Sequence, residues 1–287
     1  MYIKVALAVL VWTSTAGSKD LNRGPFLKVL YRNKTISISM ESYLERVVSA
    51  ETWPGWHIEA LKAQAVASRS YALRKLLHAK GGFDLKATVQ DQVMSKKVRP
   101  DAVQAVRLTR GLVLTYKGVP IRALFHSTCG GKTTYAERVW PGEGVPYLRP
   151  VECHYCEISP RFLWQSRVPV GKARKKLARL GLSPGSPIKI EPLDPDEAGR
   201  CSKVRLGGKD GIIVPVQKLR KVLGFDVLRS AIFSAKVKDG YLVLEGRGAG
   251  HGVGMCQWGA EGMARKGKNF REILEHYYPG TRIRRAY

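Results

Sequence analysis

The residues best suited to chemistry gather first around Glu51. Leu44, Val47 and Val48 recur at helical spacing from about Met40, so an amphipathic helix leads into this acid. Glu51 stands four residues after Val47 and seven after Leu44, which puts its carboxyl on the apolar side of that helix. Trp53, Pro54 and Trp56 follow at once, and Pro54 stops the helix just beyond the acid. A carboxyl walled by aliphatic and indole side chains loses solvation for its charged form. Its pKa is expected to rise, the condition a general acid needs near neutral pH. The plainer reading turns Glu51 outward, as a solvated group where the helix frays. Spacing alone leaves both open.

Arg69 is the second candidate. It interrupts the apolar face of a second, alanine-rich helix, Glu59–Leu77, on which Val66, Leu73 and Leu76 share its side. It either lays its stem along that face with the charge in water or grips an anionic ligand beside the acid. A third group is made of thiols and imidazoles: His126, Cys129, Cys153, His154 and Cys156 offer enough ligands for a tetrahedral metal site. The chain has five cysteines, so they cannot all pair as disulfides within one chain. A fourth candidate is His251, set in Gly246-Arg247-Gly248-Ala249-Gly250-His251-Gly252-Val253-Gly254. No phase of that run gives a dinucleotide-binding fingerprint. Its alternating glycines permit close backbone approach and leave room for a bulky ligand. The N-terminus of the helix that follows, Gln257–Arg265, offers free N–H groups to an oxygen-rich group.

These side chains must be positioned by a mixture of hairpins and helices, an α+β pattern. Hairpins are expected across Arg32-Asn33-Lys34, across Lys117-Gly118, joining Gly111–Tyr116 to Val119–Phe125, and across Asp239-Gly240. Thr88–Val93 reads as one more short strand, and Ala102–Leu108, Val170–Leu180, Leu219–Leu223 and Phe270–Tyr277 read as helices. The segment from Ile158 to Ile190 contains no acid but many Lys and Arg. The composition shift divides the chain into a core, 26–157 with 225–283, and a basic inserted or second subdomain, 158–224. The charge of that subdomain suits either a solvated helix face or a polyanion.

At 287 residues with a formal charge of +26, the chain can bury a good core and favours anionic partners. Residues 1–16 carry Lys4, an apolar run Val5–Trp12 and a small-residue stretch Ser14-Thr15-Ala16, which read as a signal peptide. No other run approaches the length of a membrane span. The expected location is therefore outside the cytoplasmic membrane. Nucleic acid is disfavoured, since the chain has no recognisable binding motif and few aromatics among its basic residues.

Three separated stretches carry a resemblance. They are Glu41-Ser42-Tyr43-Leu44 through Ala50-Glu51 with Glu59–Ala72; Phe125-His126-Ser127 with Gly130-Gly131; and Gly250–Met255 through Gln257-Trp258-Gly259-Ala260, closing on His276–Thr281. In that order they resemble the SpoIID/LytB family over about residues 26–283, with 158–224 the least typical part. The resemblance implies a lytic transglycosylase that cleaves MurNAc–GlcNAc bonds of peptidoglycan glycan strands lacking stem peptides, leaving 1,6-anhydro-MurNAc ends. It implies Glu51 as the catalytic acid, with Arg69, Tyr71, His251 and Gln257 as candidates for the glycan groove. Some members carry a zinc site of Cys and His. Here the resemblance points to Cys129, Cys153, Cys156 and His126 as ligands of a structural zinc, a disulfide being the competing reading. The family commonly has Ser where this chain has Cys129 and Cys256. An alternative function follows from members described as amidase enhancers, which bind the wall without cleaving it and whose partner is a cell-wall amidase.

Overall fold

The computed structural model describes residues 24–79, 81–142, 144–183 and 187–287; the expected signal peptide at 1–16 lies outside them. The chain forms two units, the first reaching Leu124 and taking back Met263–Tyr287, the second comprising Phe125–Gly262.

The first unit opens with β1 (Phe26–Tyr31), β2 (Lys34–Ser39), α1 (Met40–Glu51) and α2 (Ile58–Leu77). It continues through β3 (Leu85–Lys86), α3 (Pro100–Leu108), β4 (Leu112–Tyr116) and β5 (Val119–Pro120). The second unit contains β6 (Phe125–His126), β7 (Leu163–Pro169), α4 (Val170–Ala178), β8 (Ile190–Pro195), β9 (Cys201–Leu206) and β10 (Ile212–Pro215). After these come α5 (Val216–Leu223), β11 (Phe233–Lys238), β12 (Tyr241–Arg247), β13 (Met255–Cys256) and α6 (Gln257–Arg265). The chain rejoins the first unit within α6, at Met263, and ends with α7 (Phe270–Tyr277) and β14 (Arg282–Arg285). Small sheets and seven helices among the described residues make the fold α+β.

Turn chemistry sets the hairpins. Arg32 and Asn33 (φ 50° and 63°), Lys117 and Gly118 (49° and 81°) and Asp239 and Gly240 (49° and 76°) occupy the left-handed region that two-residue hairpin turns require. The second strand of the middle hairpin is shorter than expected, since β5 ends at Pro120, which has no N–H to continue the ladder. Thr88–Val93 forms no strand. Asp91 closes a turn there, its N–H donating to the Thr88 carbonyl at 3.0 Å while its carboxylate accepts the Lys86 N–H at 2.8 Å.

In the first unit α2 is the central rod. Every residue from Ala63 to Ala72 is buried, so the helix is covered all round rather than on one stripe. Its alanines let α1, α3, α7 and β4 pack against it. Helix α7 is fixed at its start by a capping box between Asn269 and Glu272. In the second unit, antiparallel sheets β11-β12-β7 and β10-β9-β8 share one apolar core with α4 and α5. That core runs from Trp164 to Leu244, because β7 pairs with β12 along its whole length; it passes residue 224, where composition had suggested a limit.

Candidate active site and thiol cluster

Two of the three acids of helix α1, Glu41 and Glu51, have opposite surroundings. Glu41, in its first turn, is 7% exposed, and Arg69 of α2 is fully buried against it. Arg69 Nε donates to Glu41 Oε1 at 2.9 Å and Nη2 to Oε2 at 2.7 Å, a bidentate fork. The remaining Nη1 donates to the Leu112 carbonyl at 3.1 Å. The Gly111 N–H and the Tyr287 hydroxyl also donate to Glu41 Oε1. Arg69 therefore grips no ligand: a guanidinium sealed among Glu41 and backbone carbonyls ties α1, α2 and β4 together. The apolar stripe around it in the sequence reflects burial of the whole pair.

Glu51 ends the same helix and is half-buried. Its Oε1 accepts the Val93 N–H at 2.9 Å. Thr52 stops the helix there, with its hydroxyl donating to the Val48 carbonyl at 2.6 Å. Arg99 clamps the chain that leaves α1, donating from Nη1 to the Ser49 and Thr52 carbonyls at 2.8 and 2.7 Å. Trp56 is buried, whereas Trp53 is 49% exposed, so only one of the two expected indole walls is packed away.

Three successive residues of the 88–95 loop address three side chains of the helices. Asp91 Oδ1 accepts the Tyr71 hydroxyl at 2.6 Å, Gln92 Oε1 accepts the Tyr43 hydroxyl at 3.0 Å, and Val93 donates to Glu51. Burial, followed by the hydrogen bond to Asp91, pushes the Tyr71 phenol far up. Burial, then the charges of Asp91, Tyr71 and Glu51, pushes Tyr43 up. Both phenols are held protonated as donors. Tyr71, 7% exposed and committed to Asp91, supports the loop beside Glu51. Sequence reading missed Tyr43, Asp91 and Gln92. The polar triplet Gln90-Asp91-Gln92 within a supposed strand was the available signal.

In the second unit the Sγ atoms of Cys129, Cys153, Cys156 and Cys256 all lie within 4.8 Å of one another, and all four residues are buried. His126 does not belong to the group, which corrects the expected ligand set. Its Nδ1 faces the Val253 carbonyl at 3.1 Å, and burial, then the Arg200 charge, pushes the imidazole down to about 3. Cys256 takes the fourth place because parallel pairing of β13 with β6 sets Cys256 opposite His126 and next to the Cys129 loop. Two N–H groups point at its sulfur, from Cys129 at 3.2 Å and Gly259 at 3.3 Å. At Gly262 a Cβ would lie 2.1 Å from the Tyr155 carbonyl, so glycine lets α6 press against the turn carrying Cys153 and Cys156. Cys201 stands apart in the β8–β10 core, its thiol raised to about 12 by burial. None of the five cysteines forms a disulfide in the described residues.

His251 uses both ring nitrogens on backbone: Nε2 donates to the Phe125 carbonyl at 2.9 Å and Nδ1 accepts the Val253 N–H at 3.1 Å. Burial, then neighbouring His126, holds it well below the usual histidine range, so it is neutral with a fixed tautomer. Its ring packs 5.1 Å from Trp140 and 5.3 Å from His126, centroid to centroid. Gln257, at the start of α6, is 5% exposed. Glu51, Arg69 and Tyr71 thus belong to the first unit; His251, Gln257 and the thiols belong to the second.

Fold and sites define an α+β protein with a half-buried carboxyl at a helix end and a separate buried thiol cluster. Comparisons with known proteins agree on its family. The family model described as "Stage II sporulation protein" matches residues 32–116, a stretch that contains Glu41, Glu51, Arg69, Tyr71 and the 88–95 loop. Stage II sporulation protein D of Bacillus subtilis (strain 168) is 30% identical over 97% of this chain and 85% of its own length. That of Bacillus amyloliquefaciens is 30% identical over 93% and 81%. An uncharacterized protein of Brachyspira hyodysenteriae is 36% identical over 86% of this chain and 67% of its own. The chain belongs to the SpoIID family.

Proposed function

We propose that this protein is a lytic transglycosylase of the bacterial cell envelope, acting on peptidoglycan strands from which stem peptides have been removed. The observation that carries the reading is Glu51: a half-buried carboxyl at the end of α1, held at one oxygen by the Val93 N–H and supported by a loop pinned to Tyr43 and Tyr71. Glycosidases generally need two carboxyl groups. Here one serves twice. The Glu51 carboxyl donates its proton to the glycosidic oxygen as the bond from C1 of the muramic acid breaks. The resulting carboxylate then takes the C6 hydroxyl proton as that oxygen bonds to C1. No water is consumed, and Glu51 returns protonated. Proton transfer of this kind contributes about 100- to 10,000-fold. A strand without stem peptides exposes lactyl carboxylates, which suits a chain of net charge +26. Among the described residues no helix is long and apolar enough to cross a membrane.

The alternative rests on the amidase enhancer of Bacillus subtilis (strain 168), 28% identical over 84% of this chain and 40% of its own length. In that reading the protein binds the wall and assists an amidase. Incubation with peptide-free glycan strands distinguishes the two. Anhydromuramic ends formed by the wild type and not by Glu51→Gln support the transglycosylase; strand binding without cleavage supports the enhancer.

The four thiols are read as a structural zinc site. Zinc–thiolate bonds of about 2.3 Å place tetrahedral ligands about 3.8 Å apart. The present sulfurs fit that spacing, with Cys129 and Cys156 at 3.5 Å and all four within 4.8 Å. Cys129, Cys153, Cys156 and Cys256 would hold the ion, which would crosslink the β6 loop, the Cys153–Cys156 turn and the start of α6.

A further inference from the structure

Arg200 lies in the turn between β8 and β9 and is 2% exposed. A buried guanidinium is costly unless a negative group faces it. Among the described residues no carboxylate lies within ion-pair distance of this one, and its Nε has no hydrogen-bond partner. Its Nη2 instead donates to the carbonyl of Cys129, one of the four clustered thiols, at 2.6 Å. The Arg200 backbone N–H donates to Asp196 Oδ1 at 2.8 Å and fixes the turn that delivers the side chain.

The opposing surface is built to admit it. At Gly252 (φ +86°) a Cβ would sit 2.5 Å from the Arg200 Cζ and 2.6 Å from its Nε. A side chain there would force the guanidinium to shift. The same glycine run turns directly into β13, which ends on Cys256. Burial disfavours the Arg200 charge most; Asp196, then Cys129, Cys201 and Cys256, are the groups that favour it.

Four thiolates around a divalent cation carry a net charge of −2, and burying that charge is as unfavourable as burying an isolated guanidinium. Each group answers the other's need. We propose that Arg200 is the built-in counter-cation of the four-thiolate centre, a positioning residue that the glycine at 252 admits and that couples the β8–β9 turn to metal binding. This inference rests on the zinc reading above and adds to it the source of charge balance. The N–H groups of Cys129 and Gly259 neutralise part of the charge at Cys256, and the guanidinium adds to them from its seat on the Cys129 carbonyl.

The test uses the full chain loaded with zinc, and compares wild type with Arg200→Gln and Arg200→Lys. The readouts are zinc per chain by elemental mass spectrometry, the rate of zinc transfer to a chromophoric chelator, and the thiolate-to-metal absorption of the cobalt(II) form. Supporting residues around metal ligands typically contribute about 10- to 100-fold in affinity. Arg200→Gln is expected to lose zinc faster by that factor and to shift the cobalt(II) bands, with Arg200→Lys closer to wild type. In a Cys256→Ser background, where the dianion cannot form, Arg200→Gln is expected to leave stability unchanged or raise it, since an uncompensated buried charge is removed. A general folding role for Arg200 predicts the same loss in both backgrounds and would overturn the proposal. Wild-type zinc retention with Arg200→Gln equally retentive removes the counter-cation alone. A wild type that binds no zinc removes the metal reading and this inference with it.

Discussion

The surroundings of Glu51 and of the four thiols treat reactive side chains in opposite ways. Glu51 is half-buried, and the groups near it are phenols held as proton donors by burial and by the 88–95 loop. Cys129, Cys153, Cys156 and Cys256 are all buried, with two backbone N–H groups directed at the Cys256 sulfur and the Arg200 guanidinium on the Cys129 carbonyl. One arrangement lets a carboxyl exchange a proton with a ligand. The other holds nucleophilic atoms away from any ligand and suits them to a bound ion. The same contrast recurs within α1, where Glu41 is sealed by Arg69 and Glu51, ten residues on, is not.

Substitutions can break this contrast, and the largest effect is expected at Glu51. Glu51→Gln should lower cleavage of peptide-free strands by about 100- to 10,000-fold, with a thermal midpoint close to wild type; a large fall in stability would show Glu51 to be structural. Arg69→Met should do the reverse. Leaving Glu41 uncompensated should cost about 3–5 kcal/mol in denaturant unfolding, whereas a loss of glycan affinity without loss of stability would restore Arg69 as a ligand-binding residue. In the second unit Cys256→Ser should reduce zinc retention sharply, and His126→Gln should leave it near wild type, as elemental analysis of the purified variants will show. Tyr43→Phe removes one buried hydrogen bond to Gln92 and should cost about 1 kcal/mol, with a moderate fall in activity as the Val93 N–H shifts. Asn269→Ala, which deletes the α7 cap, should cost about 1 kcal/mol and leave both activity and zinc untouched.

What could be read from the sequence followed the range of the interactions involved. Helices α1 and α2 and the three tight hairpins depend on local periodicity and on turn residues, and they stand where spacing placed them. The end of α1 at Glu51 was legible because it is marked by Pro54 and by residues within two helical turns. The role of Arg69 was not, because its partner Glu41 is 28 residues away on another helix. Thr88–Val93 reads locally as a strand, and contacts such as that of Asp91 with Tyr71, 20 residues earlier, fold it otherwise. Cys256 joins the thiols through a β6–β13 pairing across some 130 residues, a contact that no local pattern encodes. Composition marked the basic stretch after Ile158 but not where the core beneath it ends, since pairing of β7 with β12 carries that core past residue 224.

The central claim is that Glu51 acts alone, with the sugar's own C6 oxygen as nucleophile. Cleavage of peptide-free strands in oxygen-18 water, followed by mass spectrometry of the new ends, tests it most directly. The account predicts anhydro ends that carry no label, formed by the wild type and not by Glu51→Gln. Labelled reducing ends would mean that water attacks C1, and the ring-closing mechanism would be wrong.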